Sequence, residues 1–315
     1  MSLCGAEREP KVRWGIKPDF RIRASQNFFL RGLLFFSPLI ILTCASISPV
    51  DSDRERPASF SAIEEVHPQW QAFTDSIGYF HGTVKKPKLD FWALRIDLLS
   101  PQTRIAVKGG AVDGGRTLST RVSSFVRDNG LSAGINAVPF DISSANENSP
   151  IQNIGVVISG GELIAPANQR YDALVFYKDG RTAVVSQSAI KDSIEDIENA
   201  VGGFFSVLKN GQPEERTLNL QPRHPRSAAG ISNDGRYLYL LVIDGRRSGS
   251  IGGTEEETAL LLRSLGSWDG INFDGGGSSA LVLRYPDGKI RPVNTPIHDG
   301  IPGQERAVAG CLGVY

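Results

Sequence analysis

The chain has 315 residues, 40% hydrophobic and 22% charged side chains, and a formal net charge of zero. That length suits one large domain or two small ones. The neutral balance argues against a nucleic-acid partner, because nonspecific phosphate binding needs clustered positive charge. No repeat or heptad pattern points to a solenoid or coiled coil.

Residues 1–31 form a basic leader, with seven Lys/Arg against three acids across residues 1–44. Residues 32–50 carry no charge, and their apolar core, Gly32 to Ala45, reads as a signal h-region or a membrane anchor of marginal spanning length. Export to a periplasmic or cell-envelope location follows, with the membrane as a partner if the segment is retained. Ile41-Leu42-Thr43-Cys44 also resembles a lipoprotein processing site, with Thr43 in place of the usual smaller residue, so lipidation at Cys44 is an alternative. Residues 51–77 read as linker and lead-in, and residues 78–315 as a single domain. Cys4 and Cys44 lie in the leader, which leaves Cys311 as a lone core thiol and excludes an internal disulfide after processing.

Within the domain, Trp92, Leu94, Ile96 and Leu98 alternate with polar residues and predict a strand. Val122, Phe125 and Val126 predict a helix capped by Thr117 or Ser119 and stopped at Asn129-Gly130. Gly155–Ile158 and Ala173–Tyr177 predict strands, and Ile190–Ala200 a helix. Ala228–Ile231 and Tyr237–Ile243, joined by Asn233-Asp234-Gly235, predict paired strands. The second is apolar without clean alternation, so both its faces should be covered. Thr254 and Glu257 form a capping-box signature for a helix carrying Ala259, Leu261, Leu262 and Leu265, ended by Gly266. Ile271–Phe273 follows as a strand. These elements predict an α+β or mixed α/β fold, a central mixed sheet with packed helices.

The most telling stretch is Asp274-Gly275-Gly276-Gly277-Ser278-Ser279, flanked by apolar runs. A strand end that delivers a carboxylate beside glycine N–H groups is a candidate anion or sugar site. The competing reading is a tight hairpin with a turn aspartate.

Several pieces around that stretch share an order and spacing. They are His224-Pro225-Arg226-Ser227-Ala228-Ala229-Gly230, Val242-Ile243-Asp244-Gly245-Arg246, Thr254–Ala259, Ile271–Ser279 and Glu305–Ala309. Together they resemble the phosphodiester glycosidase family. A weaker likeness extends through Asn136–Asp141 and Ala200–Gly203, and the whole covers about residues 78–315. Val138-Pro139 departs from the family pattern, which usually has a glycine and an aromatic residue there, and Phe204 stands where many relatives carry a third glycine. The first departure changes one wall of the inferred pocket.

The resemblance implies hydrolysis of a glycosyl phosphodiester or phosphoglycan at the glycosyl side, releasing a sugar and a phosphomonoester. Asp274 is the leading carboxylate, as nucleophile, base or stabilising charge. Glu257 and Asp244 are candidate second carboxylates, against a capping and a turn role respectively. Arg226, Arg246 and Arg306 are candidate phosphate clamps, with Gly275, Gly276, Gly277 and Ser278 as further donors. Asn136, Asp141, His224 and Ser279 are candidate sugar-binding residues. No cofactor is required, although Asp244, Asp274 and Asp141 could meet around a divalent cation. Two other classes remain open: a glycan-binding protein that kept the scaffold without catalysis, and a metal-dependent phosphodiesterase cutting P–O. Sequence leaves the oligomeric state open.

Overall fold

The computed structural model describes residues 63–64, 66–141, 146–190, 194–218 and 222–315. The leader and apolar segment, with Cys44, lie outside the described residues. Among the described residues no helix is long and apolar enough to cross a membrane.

The fold is mostly β-sheet. Its largest sheet has eight strands in the order Gln71–Ala72, Ile77–Val84, Leu89–Asp97, Tyr237–Ile243, Arg226–Ile231, Asp269–Asn272, Phe205–Lys209 and Gln212–Pro213. The period-2 alternation of its central strands splits their apolar residues between two cores. Trp92, Leu94, Ile96, Leu238, Leu240 and Val242 face one. Phe91, Ala93, Tyr239, Leu241 and Ile243 face the other. Both faces of Tyr237–Ile243 are therefore covered, as its unbroken apolar run predicts.

The second of these cores is closed by helix Glu255–Leu265, whose Ala259, Leu261, Leu262 and Leu265 pack onto the sheet. Each such leucine stabilises the fold by about 1.5–3 kcal/mol when fully buried. The Thr254 capping box forms as predicted, and Gly266 ends the helix in the left-handed region. The first core is shared with two five-stranded sheets. One runs Ile290–Pro292, Leu281–Arg284, Ala133–Asn136, Cys311–Val314 and Ile105–Val107. The other contains Glu162–Ala165, Val157–Ser159, Ile197–Gly202, Asp172–Tyr177 and Thr182–Ser186.

Several expectations change, and the topology adds connections that chain order does not show. The sheets are antiparallel rather than mixed, and helices are few: seven residues in Val122–Asp128 and eleven in Glu255–Leu265. Tyr237–Ile243 and Asp269–Asn272, joined through the longer helix, are not neighbours, because Arg226–Ile231 lies between them and pairs with both. Residues 190–200 do not form one helix, since Ile197–Gly202 is a strand held between Asp172–Tyr177 and Val157–Ser159. Tertiary pairing there overrides local propensity. Finally, helix Val122–Asp128 has no side-chain cap, Thr117 being a strand residue and Ser119 donating to the Asn146 carbonyl. The packed region also starts before residue 78, because Gln71–Ala72 joins the sheet and Ile63 is fully buried.

Candidate active site

The glycine cluster is a crossing between two sheets and not a hairpin. Asp269–Asn272 belongs to the eight-stranded sheet and Leu281–Arg284 to the five-stranded sheet beside it. The transfer occurs within two residues. The Phe273 N–H donates to the Ser227 carbonyl at 2.8 Å, still on the large sheet, and the Asp274 N–H donates to the Ala137 carbonyl at 2.9 Å. A short 3-10 turn, Gly276–Ser278, completes the change of direction. Glycine is required twice: a Cβ on Gly275 would stand 2.7 Å from the Pro225 carbonyl oxygen, and Gly276 has φ +64°.

Asn136 holds this crossing from below. Its Nδ2 donates to the Asp274 carbonyl at 2.6 Å, while its Oδ1 accepts from the Ser227 hydroxyl at 2.7 Å and the Ala280 N–H at 3.1 Å. It is fully buried, and both ends of its amide are engaged in holding the loop.

Asp274 therefore sits at this junction, half-buried, with protein crowding its carboxyl group. Burial pushes its pKa up to about 6, against the opposing pull of the Ser278 hydroxyl, the Arg306 charge and the Gly275 N–H. Arg306 lies along the glycine turn, with its Nη1 3.5 Å from Ser278 Oγ and its Nε donating to His298 Nδ1 at 3.3 Å. Burial and the Arg306 charge lower the His298 pKa. A neutral imidazole accepting at Nδ1 agrees with that direction. Arg246 approaches from the other side, its Nη2 3.0 Å from the place a Gly276 Cβ would occupy. It is exposed, and it holds the left-handed φ of 57°, a costly conformation for a non-glycine residue. Neither Arg246 nor Arg306 has a carboxylate within ion-pair distance among the described residues. Two guanidinium groups thus face the turn with donors to spare.

The other predicted site residues lie elsewhere or are already engaged. Glu257, 1% exposed, completes the capping box and pairs with Arg223 through two contacts of 2.6 Å. Asp244, equally buried, accepts from Asn294 at 3.0 Å, from the Thr295 N–H and from Arg247. Asn294 also donates to the Ser279 carbonyl, so this group braces the far end of the glycine turn. Arg226 is buried, donates to the carbonyls of Gly253 and Pro222, and faces Glu255 at 3.7 Å. These contacts tie the start of its strand to the helix N-terminus.

The Gly276 N–H is spent on the Pro225 carbonyl, which narrows the glycine donors expected for phosphate. Asp141 is exposed, and Ser279 is buried with its Oγ unpartnered. His224 is half-buried, its pKa lowered by burial and by the Arg226 and Arg246 charges. Val138 points into the central core, packed over Gly310. Among the described residues no group of three or more His, Cys, Asp or Glu side chains gathers as a metal site. Sequence reasoning missed His298 and Asn294. A histidine eight residues before Arg306, in a segment dense in Pro and Gly, was the available signal for the first.

No curated protein matches the chain. Among solved structures, the zebrafish N-acetylglucosamine-1-phosphodiester alpha-N-acetylglucosaminidase catalytic domain, auto-inhibited by its pro-peptide, superposes with a TM-score of 0.60 at 19% identity. The match covers 79% of this chain and 88% of that one. A hypothetical protein from Synechocystis gives 0.57 at 13% identity, covering 79% and 64%. A Burkholderia pseudomallei protein assigned as exported gives 0.51 at 16%, covering 72% and 74%. These likenesses establish the shared fold. The family model for phosphodiester glycosidase matches residues 129–315, which include the glycine turn, Asp274, His298 and Arg306, and the chain belongs to that family of hydrolases.

Proposed function

We propose that the protein cleaves a sugar-1-phosphodiester at the glycosyl C–O bond, releasing a sugar and a phosphomonoester, with Asp274 as the catalytic carboxylate. One observation carries this reading: an enclosed carboxyl with a pKa near 6 lies on a glycine turn flanked by two arginines that lack carboxylate partners. Arg246 and Arg306 bind the phosphate, and His298 keeps Arg306 aimed along the turn. As the glycosyl C–O bond breaks, its electron pair stays on the phosphate oxygen, where the guanidinium charges stabilise it. A leaving group so stabilised needs no proton from a second carboxylate. That accounts for a site in which Glu257 and Asp244 are committed to bracing. Asp274 then works as an anion, taking the proton of the water that attacks the anomeric carbon, or attacking that carbon itself.

The sugar-facing groups in this reading are His224 and Asp141. The basic run to Arg31 and the uncharged segment 32–50 support export of the enzyme to the cell envelope. The test is hydrolysis of a panel of sugar-1-phosphodiesters in ¹⁸O-labelled water. The label is expected in the sugar and to be lost with Asp274→Asn. Label in the phosphomonoester would mean P–O cleavage and overturn the assignment.

A further inference from the structure

A cavity of about 550 Å³ opens along the edge strand Ile105–Val107, where it meets the sheet containing Val157–Ser159 and Ile197–Gly202. Its volume falls within the usual range for small-molecule sites, roughly 300–1,000 Å³. Lys108 enters it as the first residue beyond the strand. The Lys108 N–H donates to the Cys311 carbonyl at 3.0 Å, which fixes its backbone at the cavity. No hydrogen bond or ion pair occupies its ammonium among the described residues. Glu198 also lines the cavity, yet lies beyond ion-pair distance.

A second group points to the same conclusion. Asn199 is 7% exposed and lines the cavity. Its Oδ1 accepts from the Gly160 N–H at 3.1 Å, and its amide nitrogen, a donor, has no acceptor among the described residues. This amide donor and the partly buried ammonium both line the cavity without an acceptor among the described residues, and both would take a negatively charged or strongly accepting oxygen. Phe125 and Tyr315 supply apolar walls beside them. Arg104 stacks over the Tyr315 ring, 5.0 Å from its centroid, and adds a positive charge at that wall.

We infer that this cavity is an anion-binding site, separate from the glycine turn, for a small organic phosphate or carboxylate held by Lys108 and Asn199 against an aromatic wall. Burial lowers the Lys108 pKa, and a bound anion would act in the opposite direction. The site needs no residue of the glycine turn, so it stands or falls independently of the glycosidase reading.

Phenyl phosphate and benzoate are suitable probes, because each carries the charge and an aromatic ring without a glycosyl bond. Binding is measured by calorimetry on the full chain carrying Arg246→Ala and Arg306→Ala, which removes the arginines proposed to hold phosphate at the turn. One equivalent of at least one probe is expected to bind. Adding Lys108→Met should weaken that binding at least tenfold, and Asn199→Ala should weaken it by a smaller factor. Thermal unfolding of the Lys108→Met protein checks the fold, and its Tm is expected to hold or rise, since a partly buried amine with no partner is replaced by an apolar side chain. Unchanged binding with Lys108→Met, or no binding of either probe to the Arg246/Arg306 variant, would overturn the inference.

Discussion

Asp274→Asn should stabilise the protein while abolishing the proposed turnover, and the gain should depend on pH. Enclosure raises the carboxyl pKa from 3.8 to about 6. At about 1.36 kcal/mol per unit, that shift is a penalty of roughly 3 kcal/mol on the ionised form in the native state. The folded-state pKa lies above the unfolded one, so between about pH 4 and 6 the native protein keeps a proton that the unfolded chain has lost. Native stability therefore falls as pH rises through that window, and the full penalty applies above it. Asparagine is neutral throughout, and its Oδ1 can still accept from the Gly275 N–H. The variant should match the parent below about pH 4 and exceed it by up to roughly 3 kcal/mol at pH 8. That difference corresponds to roughly 6–12 °C in Tm for a domain of this size. Urea unfolding of both proteins at pH 4, 5, 6 and 8 measures it, with other titrating groups cancelling in the comparison. A stability difference independent of pH, or a less stable variant at pH 8, would refute the account of Asp274 as an enclosed, destabilising carboxylate.

Other outcomes follow from the same geometry. The proposed hydrolysis should rise with pH along a limb centred near 6, because Asp274 works as an anion, and a pH profile of kcat/KM reads this directly. Arg306→Ala should move that limb to higher pH by removing a charge that favours ionised Asp274, and should lower kcat/KM by about 10- to 100-fold through lost phosphate contact. Arg246→Ala should lower kcat/KM by a similar factor while moving the limb less than Arg306→Ala does, since Arg306 is the arginine whose charge favours ionised Asp274. Glu257→Gln should cost about 3–5 kcal/mol of stability by breaking the buried pair with Arg223. The protein that remains folded should keep its kcat; loss of kcat at full stability would return Glu257 to the catalytic set.

The elements most legible in the sequence were those in which a local signal and the tertiary fold agree. Thr254 and Glu257 announce a capping box that the structure forms, and the unbroken apolar run of Tyr237–Ile243 announces a strand covered on both faces. Less legible was Ile197–Gly202, whose local pattern suits a helix until two neighbouring strands offer it hydrogen bonds. The site divided in the same way. Asp274 with its glycines stood out because close approach at Gly275 and positive φ at Gly276 demand glycine wherever the turn is placed. The roles of Arg226, Asp244 and Glu257 did not stand out, because a charged residue reads alike in sequence whether it meets a ligand or a buried partner.

By itself, then, the sequence determined the family, the principal strands, the capped helix and the glycine turn with its lone acid. These depend on residue types at fixed spacing, which chain order preserves. Only the tertiary structure decided that the turn crosses between two sheets, and that His298 joins Arg306 beside it. It alone separated the carboxylates and arginines that brace the fold from those left facing the turn. Those distinctions rest on which partners a charge meets across the fold, such as Arg223 for Glu257 and Asn294 for Asp244. Such partners lie tens of residues away in the chain and are brought together only by packing.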